Sequence, residues 1–256
     1  MSLDNKPFWI AANWPAPNWI RAGTTTRQSG FSLPPYSSLN LARHVDDEPD
    51  IVEQNRALLQ RQLQLPTAPL WLQQVHGKQV INSDDWSADV SADACYTKQK
   101  GIVCAIMSAD CLPLLLCNKN GSEIAAVHIG WRGLCQNIID ETLSRFDSDN
   151  SDLYAWIGPH IHANNYEVGR DVRAACLQAL PGTEHAFTST RQAHWYANLD
   201  VLVRHKLLSE GISMIFGCNR CTFDDETSFF SYRRQKVTGR MVSLIWMETE
   251  NSAAKL

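Results

Sequence analysis

The sequence has no basic excess: 23 Lys and Arg stand against 27 Asp and Glu, a formal charge of -4. Such a chain has no overall attraction for nucleic acid or an anionic membrane, and neither is expected as a partner. No apolar run approaches the ~20 residues that span a bilayer. The opening stretch, MSLDNKPFWIAANW, lacks a basic segment followed by an apolar one. No secretory signal is therefore expected, and the cytoplasm is the expected compartment. No repeat, low-complexity tract or linker rich in Gly, Ser or Pro divides the chain, so residues 1–256 are expected to form one domain, with 248–256 a frayed polar tail. Paired cysteine motifs are scarce too. The eight cysteines are scattered, and the single C-x-x-C, Cys218 to Cys221, has no second pair near it. That excludes a disulfide scaffold and favours reduced, mostly buried thiols.

What remains is an ordinary globular composition, 44% hydrophobic and 20% charged, long enough to bury a large core without staples. Residues 23–49 read as loop. A helix is expected from Asp50, capped by the Asp50–Glu53 pair and stopped by Pro66, with Ile51, Asn55, Leu58, Leu59 and Leu63 on one face. WLQQVHGKQVI (71–81) reads as a hairpin or strand. GIVCAIM (101–107), LPLLLC (112–117) and EIAAVHI (123–129) are short continuous apolar runs that suit strands covered on both faces. A helix after GWRG would bury Leu134, Ile138, Ile139, Leu143 and Phe146, and two more are expected over 168–180 and 198–209, with Gly211 beyond the last. FFSYRR (229–234), a turn near Gly239 and a strand over 240–247 complete the chain. The fold class is α+β, a layered sandwich with mixed β-sheets.

Three segments end an apolar run with a metal-capable side chain: His76 in QQVHG, Cys111 in SADC and His128 in AVHIGWRG. A histidine beside a strand is more often hydrogen-bonded structure, and a cysteine after an apolar run is more often packing. Here turn-forming and polar neighbours surround all three, and function collects at such strand ends. Three protein ligands would leave a fourth position of a tetrahedral ion open to water or substrate. Asp110 and Gln74 are candidates to orient the ligands, and Asp110 to carry a proton. An anion site is offered by GWRG entering a helix and by Arg132, with Arg43, Arg56 and Asn40 as further candidates. Arg233 and Arg234 read as strand-edge residues or ligand contacts, and Tyr166 as an aromatic that could stack on a planar ligand.

QVHG, ADCLPLLL, HIGWRGL, IGPHI with YEVG, and CTFDDETSFFSYRR with TGRM follow one another in this order. In these motifs the chain resembles the laccase-domain proteins, also known as polyphenol oxidases and as purine nucleoside phosphorylases, among them the peptidoglycan editing factor of enterobacteria. The resemblance covers roughly residues 20–246. It implies one zinc ion on His76, Cys111 and His128, with phosphorolysis of adenosine, inosine and methylthioadenosine and deamination of adenosine as a second activity. It implies a monomer with an α/β sandwich related to cysteine-hydrolase toxins. Ile129 and His162 depart from it, standing where a small residue and a glycine are common.

Other readings stay open. Two His and one Cys also accept copper, so an oxidase activity is a further expectation, although eight histidines with a single His-x-His pair do not make a trinuclear cluster. Cys111 could act without metal as a nucleophile with His76 or His128 as its base, in a hydrolase that removes a wrongly attached amino acid from a cell-wall precursor. Zinc could also merely staple a binding module, with Cys218 and Cys221 as a second pair.

Overall fold

The computed structural model describes residues 8–249. In chain order the elements are β1 (Trp9–Ala11), β2 (Ile20–Thr25), α1 (Pro49–Gln62), β3 (Val80–Asn82), β4 (Ala94–Thr97), β5 (Val103–Ser108), β6 (Leu112–Asn118), β7 (Ile124–Ile129), α2 (Trp131–Cys135), α3 (Ile138–Leu143), β8 (Leu153–Ile157), β9 (Glu167–Gly169), α4 (Arg170–Ala179), β10 (Phe187–Arg191), β11 (His194–Ala197), α5 (Leu199–Ser209), β12 (Met214–Gly217) and β13 (Met241–Met247). They form a mixed sheet of order β12-β8-β6-β7-β4-β3, an antiparallel sheet β1-β2-β13-β5 and a small sheet β10-β11-β9. Only β12–β8 and β3–β4 pair in parallel within the mixed sheet.

The apolar runs explain the layering. In β6, Leu112, Leu114 and Leu116 face a core shared with α3, α4 and α5, while Leu115 and Cys117 face the four-stranded sheet. A strand buried on both faces needs no polar alternation. In β13, Ile245 and Met247 face the mixed sheet, and Val242, Leu244 and Trp246 face α1 through Leu59. The result is a sandwich of helix, sheet, sheet and helices, each fully buried leucine contributing ~1.5–3 kcal/mol. The chain crosses from one sheet to the other between β5 and β6, at Ala109–Cys111, and that crossing fixes where Cys111 lies.

Several local expectations are corrected. α1 starts at Pro49, which sets φ for a first helical turn, with Glu48 before it and no side-chain cap. The expected partner Glu53 pairs instead with Arg43 at 2.7 Å, and the helix ends at Gln62, ahead of Pro66. The stretch 71–81 is mostly irregular, with a bridge at Gln73 and a strand only from Val80. The helix expected after GWRG starts within it, at Trp131, and is broken in two by Asn137, whose φ of 67° is the left-handed conformation that asparagine tolerates. Arg234 sits on a turn, where its guanidinium donates to the carbonyls of Thr222, Phe223 and Phe229. The expected tail is anchored at its start: Glu248 donates its N–H to Trp19 and pairs with Arg21. From residue 250 onward that tail lies outside the described residues.

Candidate metal centre

His76, Cys111 and His128 converge from an irregular segment, the sheet crossing and the end of β7. Their possible ligand atoms all lie within 4.8 Å of one another. The two imidazole rings meet edge to face with centroids 4.8 Å apart. His76 and Asp110, the residue before Cys111, both have positive φ, 59° and 100°. Such turns cost an ordinary residue roughly 1–2 kcal/mol, so something must hold them.

Asp93 holds the first. Its Oδ2 accepts the N–H groups of Val75 at 3.2 Å and Gly77 at 2.7 Å, and its Oδ1 accepts the N–H of His76 at 3.0 Å. The same Oδ1 faces His128 Nδ1 at 2.8 Å. A carboxylate only accepts, so Nδ1 of His128 carries the proton and Nε2 is left for a metal or for Cys111. One fully buried carboxylate thus positions two of the three groups. Burial alone would raise the Asp93 pKa, but His128 and the backbone N–H groups outweigh it and keep the acid ionised.

Asp110 holds the second turn. Its Oδ1 accepts from the Thr222 hydroxyl at 2.7 Å and its Oδ2 from the Arg233 N–H at 2.6 Å. This expected proton carrier has both oxygens engaged and ties two loops to the crossing. Gln74, expected to orient a ligand, clasps the backbone of Met107 instead, donating at 2.8 Å and accepting at 2.7 Å.

The donor set fits a divalent ion. Burial pushes the Cys111 thiol up, but His128 and His76 outweigh it and bring it down to about 6. Burial opposes a charge on His128, yet Cys111 and Asp93 raise it to about 9. A thiolate and an imidazolium therefore face each other at neutral pH when no ion is bound. Gly130 leaves room for them: a Cβ there would lie 3.0 Å from the His76 ring and 3.3 Å from Cys111 Sγ. Among the described residues, this trio is the one group of three or more such side chains close enough to share an ion. Cys218 and Cys221 assemble no second one; Cys221 Sγ accepts from the His162 N–H and from Asn165 instead.

The trio opens into a cavity of about 550 Å³. Its wall carries Arg132, Arg233, Arg240 and His44, and the aromatic rings of Trp131, Tyr166 and Tyr232. Arg132 lies over Trp131 at 4.5 Å, and Arg233 over Tyr166 at 5.1 Å. The remaining candidates lie elsewhere. Arg43 is exposed in its ion pair with Glu53. Arg56 donates twice to the Leu41 carbonyl and stacks on Trp71 at 3.9 Å. Asn40 is fully buried, and its Oδ1 accepts the N–H of Arg240 at 3.0 Å. It therefore positions a cavity arginine from behind. The α2 helix, which begins inside GWRG at Trp131, has only five residues.

Asp93, His44 and Arg240 were missed from the sequence. Asp93 stands in Ala92-Asp93-Ala94, a lone carboxylate among small residues leading into a strand, and that was a usable signal. Arg240 lay within TGRM, but nothing local gave it a task.

A purine nucleoside phosphorylase, YfiH, of Escherichia coli is 45% identical over 239 residues, covering 93% of this chain and 98% of that protein. A purine nucleoside phosphorylase of Pseudomonas aeruginosa is 41% identical over 94% of this chain and 98% of its own. The crystal structure of Neisseria meningitidis protein NMB0706 superposes with a TM-score of 0.91 at 38% identity, covering 95% of this chain and 100% of that one. YlmD of Geobacillus stearothermophilus gives 0.90 at 29% identity, covering 95% and 97%. A family described as multi-copper polyphenol oxidoreductase laccase matches residues 21–248, a span that takes in the whole mixed sheet together with His76, Cys111 and His128, and to that family the chain belongs.

Proposed function

We propose that this chain is a zinc-dependent purine nucleoside phosphorylase of the cytoplasm, working as a single domain on adenosine, inosine and methylthioadenosine, with adenosine deamination as a side reaction. The observation that carries this reading is the opening of the His–Cys–His trio into a cavity walled by three arginines and three aromatic rings. The relatives named purine nucleoside phosphorylases support it at 41–46% identity. When bound, an ion on three protein ligands supplies an electron-pair acceptor with one coordination position for substrate.

The protein's own groups do the rest. Phosphorolysis forms a bond from a phosphate oxygen to the anomeric carbon and breaks the bond from that carbon to the purine nitrogen. The purine leaves with the bonding electrons. Arginine forks match phosphate oxygens. Arg240 and Arg233 replace Arg43 and Arg56 in that role, since they line the cavity and the other two do not. Burial lowers the Arg240 pKa, with Cys111 and Asp110 opposing, and a half-buried cation gains more from an incoming anion than an exposed one does. Tyr166, Trp131 and Tyr232 offer faces for the purine.

Arg240→Ala is expected to raise the KM for phosphate roughly tenfold or more, the loss of a charge-assisted hydrogen bond of about 1.5–3 kcal/mol. Arg43→Ala, on the exposed ion pair, is expected to leave it unchanged. Steady-state release of free purine at varied phosphate measures both. A release that does not depend on phosphate would refute phosphorolysis.

Zinc affinity should depend on pH with a definite sign. Between about 6 and about 9 the ion displaces one proton, from His128, so affinity should rise about tenfold per pH unit. Below about 6 Cys111 is protonated too, and the fall with acid should steepen. Competition with a chromophoric chelator across this range reads the slope.

A second reading has its own observation. Cys111, His128 and Asp93 line up as thiolate, imidazolium and carboxylate, the order of a cysteine hydrolase. A hydrolase with Cys111 as nucleophile would keep its activity after chelation, whereas the phosphorylase would lose it.

A further inference from the structure

Four cysteines that the proposed reaction does not use form two thiol pairs. Cys95 and Cys104 lie 3.4 Å apart, and Cys135 and Cys176 also lie 3.4 Å apart. The pairs differ in access. Both members of the first are fully buried between the two large sheets. In the second, Cys176 on α4 is 1% exposed, but Cys135, the last residue of α2, is half-buried and reachable from solvent.

The environment of the second pair suits an exchange of sulfur bonds. Cys176 is pushed up by its contact with Cys135 and by burial, while the same contact draws Cys135 down. The contact between the two sulfurs favours ionisation of the more accessible Cys135 over Cys176, and the thiolate is the form that reacts. A disulfide needs the sulfurs at about 2.05 Å, so they must close by a little over an ångström. The half that would move is a five-residue helix between Gly130 and the left-handed Asn137. It also carries Trp131 and Arg132 of the cavity wall, and Tyr166 packs on the same apolar cluster as both cysteines.

We propose that Cys135 and Cys176 are a redox-active dithiol that a hydroperoxide converts to a disulfide, fastening α2 to α4 behind the cavity wall. The Cys135 thiolate attacks one peroxide oxygen. The O–O bond breaks, the other oxygen leaves with the electron pair and takes up a proton, and Cys135 becomes a sulfenic acid. Cys176 then gives up its proton and attacks the Cys135 sulfur. The S–S bond forms, the S–O bond breaks, and hydroxide leaves to be protonated to water. Two thiols are oxidised, and hydrogen peroxide is reduced to two waters. A small dithiol reverses the change.

The sequence makes the test direct. Trypsin would place Cys135 alone in 133–145 and Cys176 alone in 174–191, with Cys95 in 79–98 and Cys104 in 101–119. The zinc-loaded protein is treated with hydrogen peroxide, alkylated, digested without reduction and mapped by mass spectrometry. The expected product is 133–145 linked to 174–191, two hydrogens lighter than the sum, abolished by dithiothreitol. The 79–98 peptide should stay unlinked, because peroxide cannot reach the buried pair. With Cys176→Ser or Cys176→Ala, Cys135 should instead accumulate as sulfinic acid. If wild-type Cys135 reaches sulfinic acid with no link, or if the Cys95–Cys104 link forms as readily, the proposal is wrong.

Discussion

Replacing Cys111 with serine is expected to strip the divalent ion from the purified protein and to lower purine release by roughly 10³-fold, the several kcal/mol that an electrophilic metal supplies. A serine hydroxyl does not ionise near neutral pH, whereas the thiol is held down to about 6 by His128 and His76. Without the thiolate, the two imidazoles are left to hold the ion alone. His128 also loses a partner that raises its pKa to about 9, so its proton competes less. That partial gain does not replace a soft anionic ligand. The protein should remain folded, since Cys111 lies at the sheet crossing and serine fits its volume. Metal content by mass spectrometry, with a circular dichroism melt as the control, separates loss of the ion from loss of the fold. Full activity in the metal-free variant would refute the assignment of Cys111.

Asp93→Asn should be nearly as damaging, and for a structural reason. Four donors converge on its two oxygens: the N–H groups of Val75, His76 and Gly77, and Nδ1 of His128. An asparagine offers one acceptor oxygen and one NH₂ group. Either orientation turns donors toward donors, and two of the four contacts are lost at a fully buried position. With about 1.5–3 kcal/mol for each charge-assisted bond, the expected destabilisation is about 3–6 kcal/mol. In a chain of this size that lowers the melting temperature by roughly 10 °C. Zinc affinity should fall by 10–100-fold, as when a partner behind a ligating histidine is removed. The two readouts belong together. Lost stability with unchanged metal affinity would mean that Asp93 only supports the 75–77 turn and does not set the direction of His128.

The sequence revealed the centre better than its surroundings. His76, Cys111 and His128 could be singled out because each ends an apolar run beside turn-forming residues. The strands β5, β6 and β7 were legible because burial on both faces leaves continuous apolar runs. β2 was not, because residues 23–25 read as loop until their partners are known; a Cβ at Gly23 would meet Ile10 O at 2.3 Å across the sheet. The cavity arginines were harder to pick out for a similar reason. Arg43, Arg56 and Arg240 look alike in one dimension. Only the fold sends Arg56 to Trp71 and Leu41, Arg43 to Glu53, and Arg240 to the cavity wall. Asp93 escaped because its partner His128 is 35 positions away.

X-ray absorption at the zinc edge of the purified, active protein tests the central claim most directly. The predicted shell has one sulfur at about 2.3 Å, two imidazole nitrogens at about 2.0–2.1 Å and one further light atom. A shell with two or more sulfurs, one with oxygen ligands alone, or active protein without a stoichiometric metal would contradict it.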